Sequence, residues 1–235
     1  MAGRLTDGVE HSGNVPHPLP EAAPGCAADA IAALVDGIAE RGHAIGRRVL
    51  PDATLAALRA RVAALDAAHA LRPATVGHGE TSGRHAGVRG DRIRWLDEAS
   101  PDPAEAAALG LLDALRVACN RSLMTGLVEY EGHHALYPPG ASYARHRDCF
   151  RDDDTRVIST VLYLNDGWRV EDGGALRLYV DGGRAVDVWP EAGTLVAFLS
   201  ARFDHEVLPA RRPRLALTGW FRRRPLASGH ARPAC

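Results

Sequence analysis

The sequence predicts an α+β fold in which helices come first and buttress a β domain wound as a double-sheet jelly roll or a closed barrel. Two observations carry this. Apolar residues recur at helical spacing up to about residue 126, and from 128 onward they fall into short runs. Turn signals such as Asp172-Gly173-Gly174 and Asp181-Gly182-Gly183 separate those runs.

Residues 1–25 hold little apolar periodicity and several Pro and Gly, and read as a flexible leader. Ile31, Leu34, Val35 and Ile38 then share one helical face over 27–41. A short strand is expected over 43–50. Pro51 and Asp52 open a second helix, with Asp52 as N-cap and Leu55, Leu58, Val62 and Leu65 on one side. Residues 69–90, rich in Gly, His and Thr, read as a mobile segment leading into Arg89-Gly90-Asp91-Arg92-Ile93-Arg94-Trp95. A third helix covers 103–126 through Leu109, Leu112, Leu115, Val117 and Leu123. Eight β segments follow, at 128–137, 142–148, 157–164, 174–180, 184–188, 194–199, 205–208 and 213–222. There is no internal repeat. One domain is expected over 26–225, with helical support at 27–126, a β core at 128–222 and a tail at 226–235.

Composition narrows the function classes. The 235 residues carry 28 basic and 29 acidic side chains, a net charge of −1. That balance argues against a generic nucleic-acid or membrane binder, which shows a basic excess. Every basic side chain is Arg, and with no Lys or Gln the chain has the look of GC-rich bacterial coding. The four cysteines, Cys26, Cys119, Cys149 and Cys235, form no CxxC pair and suit reduced thiols in a cytosol. No apolar run reaches the ~20 residues of a membrane span, and no signal-peptide core is visible, so a soluble cytoplasmic protein is expected.

The chemistry concentrates near Tyr137-Pro-Pro-Gly-Ala-Ser-Tyr143-Ala-Arg-His146-Arg-Asp148. Residues two apart on a strand share a face, so His146 and Asp148 converge while Arg147 points away. One such pair plus a second His forms the facial triad that suits non-heme Fe(II) and leaves positions open. His205 is the best second histidine. On the segment after it, Arg214, Ala216, Thr218 and Trp220 share one face, and Leu215, Leu217 and Phe221 the other. A guanidinium fork beside a hydroxyl is a good anchor for a ligand carboxylate.

His146-x-Asp148, His205 and Arg214, nine positions on, resemble the Fe(II)/2-oxoglutarate-dependent dioxygenase superfamily. The likeness is greatest to its prolyl-hydroxylase branch, the hypoxia-inducible-factor type and its bacterial relatives. Thr160-Val161-Leu162-Tyr163-Leu164-Asn165 with Trp168, Gly173-Gly174-Ala175-Leu176-Arg177, and Pro190-x-x-Gly193-Thr194-Leu195-Val196-x-Phe198 carry it further. Arg89-Gly90-Asp91-Arg92-Ile93-x-Trp95 resembles the end of that branch's finger loop, expected here over 76–88. The resemblance implies a double-stranded β-helix (jelly roll) and a residue-by-residue set of roles. His146, Asp148 and His205 would ligate Fe(II). Arg214 would pair with the distal carboxylate of 2-oxoglutarate, with Thr218 and Tyr163 or Tyr137 adding hydrogen bonds and Val161, Leu176 and Trp220 lining the pocket. Arg156 and Trp168 would shape the substrate entrance, with Asp91 in the finger-loop motif as a further substrate candidate. O2 would be consumed and succinate and CO2 released, with ascorbate dependence left open. A carboxylate at Asp148 speaks against the halogenating subgroup, which keeps that position small.

Other motifs read more plainly. His133 and His134 face opposite ways on a strand and are taken as incidental. His205-Glu206 starts no zinc-protease motif, because Pro209 stands where HExxH needs its second His. Asp152-Asp153-Asp154 reads as a solvated turn, and Cys149 as a small residue near the site. The resemblance implies an enzyme hydroxylating prolyl residues of a protein, with elongation factor Tu as one target class. Two alternatives stand beside it: a hydroxylase of a free amino acid or secondary metabolite, and a non-catalytic iron- and 2-oxoglutarate-binding sensor.

Overall fold

A computed structural model describes residues 27–75, 88–97, 100–149 and 155–225. The expected leader, nearly all of the finger loop, the 152–154 turn and the tail lie outside the described residues. The described residues include three α-helices: α1 (Ala27–Arg41), α2 (Asp52–Ala67) and α3 (Pro103–Leu123). α1 turns its Leu34, Val35 and Ile38 inward, and α2 its Leu55, Leu58, Val62 and Leu65, as their spacing requires. The N-cap of α2 is Pro51, not Asp52: Pro51 is extended at φ −61° and ψ 146°, and no side chain caps the helix. Proline's locked φ suits the position just before the helix, so the helix starts one residue earlier than expected and Asp52 becomes its first residue, where its charge suits the helix dipole. Asp102 caps α3 properly, accepting from the amides of Ala104 and Glu105 at 2.9 and 3.1 Å. That helix ends three residues before the expected 126 because Met124 turns left-handed at φ 50°.

The strands are β1 (His43–Gly46), β2 (Arg72–Pro73), β3 (Arg92–Trp95), β4 (Leu127–Tyr137), β5 (Tyr143–His146), β6 (Arg156–Tyr163), β7 (Leu176–Val180), β8 (Arg184–Val188), β9 (Leu195–Leu199), β10 (Asp204–Val207) and β11 (Arg214–Arg223). They form a larger sheet in the order β1-β9-β6-β11-β4-β3-β2 and a smaller one in the order β5-β10-β7-β8. Every strand pairing is antiparallel, and the two sheets face each other as a jelly roll. The eight expected strands are all there, within two residues at each end. β2 and β3 are additions: the segment read as mobile supplies a short ribbon to the edge of the larger sheet, with Ile93 opposite Ala135 and Trp95 opposite His133.

The larger sheet is covered on both faces. Leu162, Leu217 and Phe221 pack under Leu58, Leu112 and Leu115 of the helices. On the other face Val161, Tyr163, Phe198 and Ala216 pack between the sheets with Leu176 and Val207. This explains why β6 and β9 are nearly continuous apolar runs while β11 alternates. Among the described residues, no helix is long and apolar enough to cross a membrane.

One polar cluster interrupts the helix–sheet interface. Buried Glu105 of α3 accepts from Arg61 Nε at 2.9 Å and from the Ser100 hydroxyl, and lies 3.0 Å from His134 Nε2 on β4. Burial alone would raise its pKa, but the Ser100, Arg61 and His134 hydrogen bonds overrule it and hold Glu105 at about 2, against an ordinary 4.5. A folded-state value below the unfolded one stabilises the protein above about pH 4.5, and that stability is lost as pH falls toward 2. Glu105→Ala is expected to cost about 2–3 kcal/mol by stranding His134 and Arg61. Urea melts at pH 7 and pH 3 check this: the gap between wild type and variant should shrink at the lower pH.

Candidate metal centre

His146 ends β5, His205 lies on β10, and the two are paired in register. Asp148 follows two residues after the strand end, in a bend. Its convergence with His146 therefore comes from that bend and not from the strand pleat assumed for 142–148. His146 Nε2 lies 3.5 Å from Asp148 Oδ1 and His205 Nε2 3.6 Å from Oδ2. One donor atom from each of the three residues falls within 4.8 Å of the others. The structure thus brings together the three residues the spacing singled out.

Their surroundings set the donor atoms. His146 Nδ1 sits 2.8 Å from the Ala144 carbonyl, so it donates there and leaves the Nε2 lone pair toward Asp148. Tyr143 stacks on the His146 ring with centroids 3.6 Å apart and planes 16° apart. Ser159 donates to Asp148 Oδ2 at 2.7 Å, and its hydroxyl also meets that of Ser200 at 2.8 Å. Burial pushes His205 down to about 4, so its imidazole is neutral and able to ligate at physiological pH. Burial would raise Asp148, but His205, His146 and the Ser159 hydrogen bond hold it well below the carboxylate range. Two imidazole nitrogens and one carboxylate on a single wall fit Fe(II) with open positions.

The triad opens into a cavity of about 1110 Å³ between the two sheets. Val161, Leu176, Thr218, Trp220 and Tyr137 line it, as expected. So does Arg214, which is only 2% exposed. Its Nε donates to the Gly174 carbonyl at 2.9 Å and its Nη2 to the Tyr163 hydroxyl at 3.3 Å. Gly174 makes this approach feasible: at φ +74°, a Cβ there would stand 2.8 Å from the Ala210 Cβ. Among the described residues no carboxylate pairs with Arg214. A buried guanidinium without a counterion is costly, and an anionic ligand would offset that cost. This arrangement fits the distal carboxylate of 2-oxoglutarate.

The remaining expected residues divide. Arg156 lines the cavity, lies 3.6 Å over the Trp220 ring and reaches Glu131 at 3.5 Å. Tyr163 lies beneath Arg214 and off the cavity wall, so of the two tyrosines only Tyr137 reaches the space. Asp91 is buried and does not line the cavity; it grips Arg89, which does, at 2.7 and 3.0 Å. Trp168 is not at the entrance: it turns its Nε1–H to the Gly173 carbonyl at 2.9 Å and packs against Gly174, behind Arg214.

His133 and His134 do face opposite ways, but neither is incidental. His134 holds Glu105, while His133 lines the cavity beside Trp95 and Trp220, with ring centroids 5.0 and 5.6 Å away. Burial, with Arg89 and Arg156 nearby, pushes His133 down to about 3, so it stays uncharged. Sequence reasoning also passed over Trp95, Arg89 and Ser159 as cavity residues. Strand alternation through Thr218 and Val161 to their paired neighbours was the signal available for His133.

A jelly roll with a His/Asp/His donor set on one wall and a buried, carboxylate-free guanidinium in the same cavity is the architecture of a non-heme iron oxygenase. The chain belongs to the 2OG-Fe(II) oxygenase superfamily, whose sequence profile matches residues 132–222. Iron(II) and 2-oxoglutarate are its cofactors and O2 its co-substrate. A prolyl-4-hydroxylase of Pseudomonas putida is 48% identical, with a TM-score of 0.76 over 83% of this chain and 100% of that one. A prolyl hydroxylase from Trichoplax adhaerens, solved with a hypoxia-inducible-factor peptide fragment, is 27% identical, with a TM-score of 0.75 over 83% of this chain and 90% of that one. Egl nine homolog 1 of Homo sapiens is 34% identical over 146 residues, 57% of this chain and 33% of the human protein. The chain thus spans about a third of the length of that curated relative.

Proposed function

We propose that the protein hydroxylates prolyl residues of a protein substrate, coupling O2 and 2-oxoglutarate to the reaction and releasing succinate and CO2. One observation carries the reading: a His/Asp/His donor set and a buried guanidinium lacking a carboxylate share one cavity. The kinship to bacterial and animal prolyl hydroxylases supports the prolyl target. The buried free thiol of Cys119 supports a cytoplasmic setting, and we assign the activity to a single domain over 26–225.

His146, Asp148 and His205 would hold iron, and Arg214 with Thr218 and Tyr137 the 2-oxoglutarate. Bound together, the cofactors supply an oxidant that puts one oxygen of O2 into a substrate C–H bond and the other into succinate. The chain's own residues do the positioning. The Ser159 hydroxyl, donating to Oδ2, keeps the Asp148 carboxylate aimed at the two imidazoles. Val161, Leu176 and Trp220 keep water from the space between anchor and triad. Tyr163 holds the Arg214 fork, so Tyr163→Phe is expected to raise the KM for 2-oxoglutarate about threefold to tenfold with little change in kcat.

Arg156, with Arg89 held by Asp91, would meet substrate from the cavity wall. The test is incubation with Fe(II), 2-oxoglutarate and candidate proteins, elongation factor Tu first, with and without ascorbate. A mass gain of one oxygen atom on a prolyl residue, absent with His146→Ala, is the expected result. Succinate production with no prolyl residue modified on any protein would overturn the protein-substrate reading.

A further inference from the structure

The two strands that carry the histidines are tied together on the side away from the cavity. Side chains alternate along a strand, so the neighbours of His146 and His205 face outward. Arg145 does so from β5 and Asp204 from β10. Arg147, just past the end of β5, reaches the same carboxylate from the cavity rim. Asp204 Oδ2 accepts from Arg145 Nε at 3.1 Å and Nη2 at 2.9 Å. Its Oδ1 accepts from Arg147 Nε at 2.9 Å, with Nη2 also 2.9 Å away. The two arginines that bracket one histidine therefore close on the residue that immediately precedes the other.

The backbone alone holds these strands loosely. β5 has four residues, and its register with β10 slips between His205 and Val207. Among the described residues its other edge meets a single bridge, Arg89 to Tyr143. Yet the two imidazole rings must stay close, with centroids 4.2 Å apart. Most exposed ion pairs contribute little. Here one carboxylate takes two contacts from each of two guanidinium groups, and such charge-assisted Arg pairs fix geometry as well as adding energy.

We propose that Asp204 is a positioning residue for the metal centre: by gripping Arg145 and Arg147 together it sets the separation of His146 and His205. This rests on the reading that His146, Asp148 and His205 hold the metal. Asp204 itself does not line the cavity and belongs to neither apolar core, so its effect is on ligand spacing and not on the fold.

Metal-free wild type, Asp204→Ala, Asp204→Glu and His146→Ala are titrated with Co(II), reading the Kd and the visible spectrum, which reports coordination geometry. Asp204→Ala is expected to weaken Co(II) binding about tenfold, the size of effect seen for groups that orient metal ligands, and to change the spectrum. Asp204→Glu is expected to recover part of the loss, with the melting temperature of the metal-free protein unchanged across the Asp204 variants. Should Asp204→Ala fail to fold, the near-isosteric Asp204→Asn carries the same comparison. A Kd within about twofold of wild type and an unaltered spectrum, while His146→Ala loses binding, overturns the clamp and leaves the metal site standing. Wild-type Co(II) binding by His146→Ala would instead overturn the metal-site reading, and the clamp with it.

Discussion

Asp148→Ala is expected to remove metal binding and 2-oxoglutarate turnover together while leaving the protein folded. Asp148 is the only carboxylate in the donor set and lies between both imidazoles, 3.5 and 3.6 Å away. Groups that merely orient ligands are worth about 10–100-fold in metal affinity, so loss of a ligand itself is expected to exceed about 100-fold. The fold should survive because Asp148 sits in a bend outside both apolar cores, and Ser159 keeps Ser200 as a partner when the carboxylate goes. Isothermal titration with Mn(II), with a melting curve of the metal-free protein, checks both halves. Wild-type affinity in the variant would remove Asp148 from the metal centre.

Arg214→Lys is expected to raise the KM for 2-oxoglutarate about tenfold to a hundredfold, and Arg214→Met further still. A Lys keeps the charge but cannot both satisfy the Gly174 carbonyl and Tyr163 hydroxyl and present a planar fork to a carboxylate. Removing one member of a buried, hydrogen-bonded charge pair costs about 2–5 kcal/mol, and each 1.4 kcal/mol is tenfold. The same residue gives an opposite sign in stability. Without ligand, Arg214 is a buried charge with no carboxylate beside it, so Arg214→Met should leave the ligand-free melting temperature unchanged or raise it. Saturating 2-oxoglutarate should then stabilise wild type and not the variant, through mass action. Equal ligand-induced shifts in the two proteins would show that Arg214 is not the anchor.

These outcomes depend on residues that differ in how far the sequence announces them. Leu55, Leu58, Val62 and Leu65 announce α2 because a 3.6-residue period leaves one buried stripe, and the stripe is visible without coordinates. The alternation of Arg214, Ala216, Thr218 and Trp220 against Leu217 and Phe221 likewise divides β11 between cavity and helix layer. His146, Asp148 and His205 are legible through their chemistry, since few residue sets suit an iron with open positions. Trp168 was misplaced because its distance along the chain from the strand motifs says nothing about which way its indole turns. The observed direction is set by a hydrogen bond to the Gly173 carbonyl, five residues on. β2 and β3 were missed because a two-residue strand and its four-residue partner carry no period of their own and exist only by pairing onto β4.

The sequence by itself determined the three helices and the eight strands that follow them, the inward faces of α1, α2 and β11, and the donor set for a metal with its guanidinium partner. These follow from local rules: period, propensity and the ligand chemistry of side chains. Only the tertiary structure decided that a bend brings Asp148 to the histidines, that Arg214 is buried without a carboxylate, that His133 belongs to the cavity and His134 to the helix layer, and that Asp204 clamps Arg145 and Arg147. Each depends on which strands lie side by side and on what remains unpaired once they do. Pairing across β4, β11, β5 and β10 joins residues tens of positions apart, and no pattern within one segment encodes that contact.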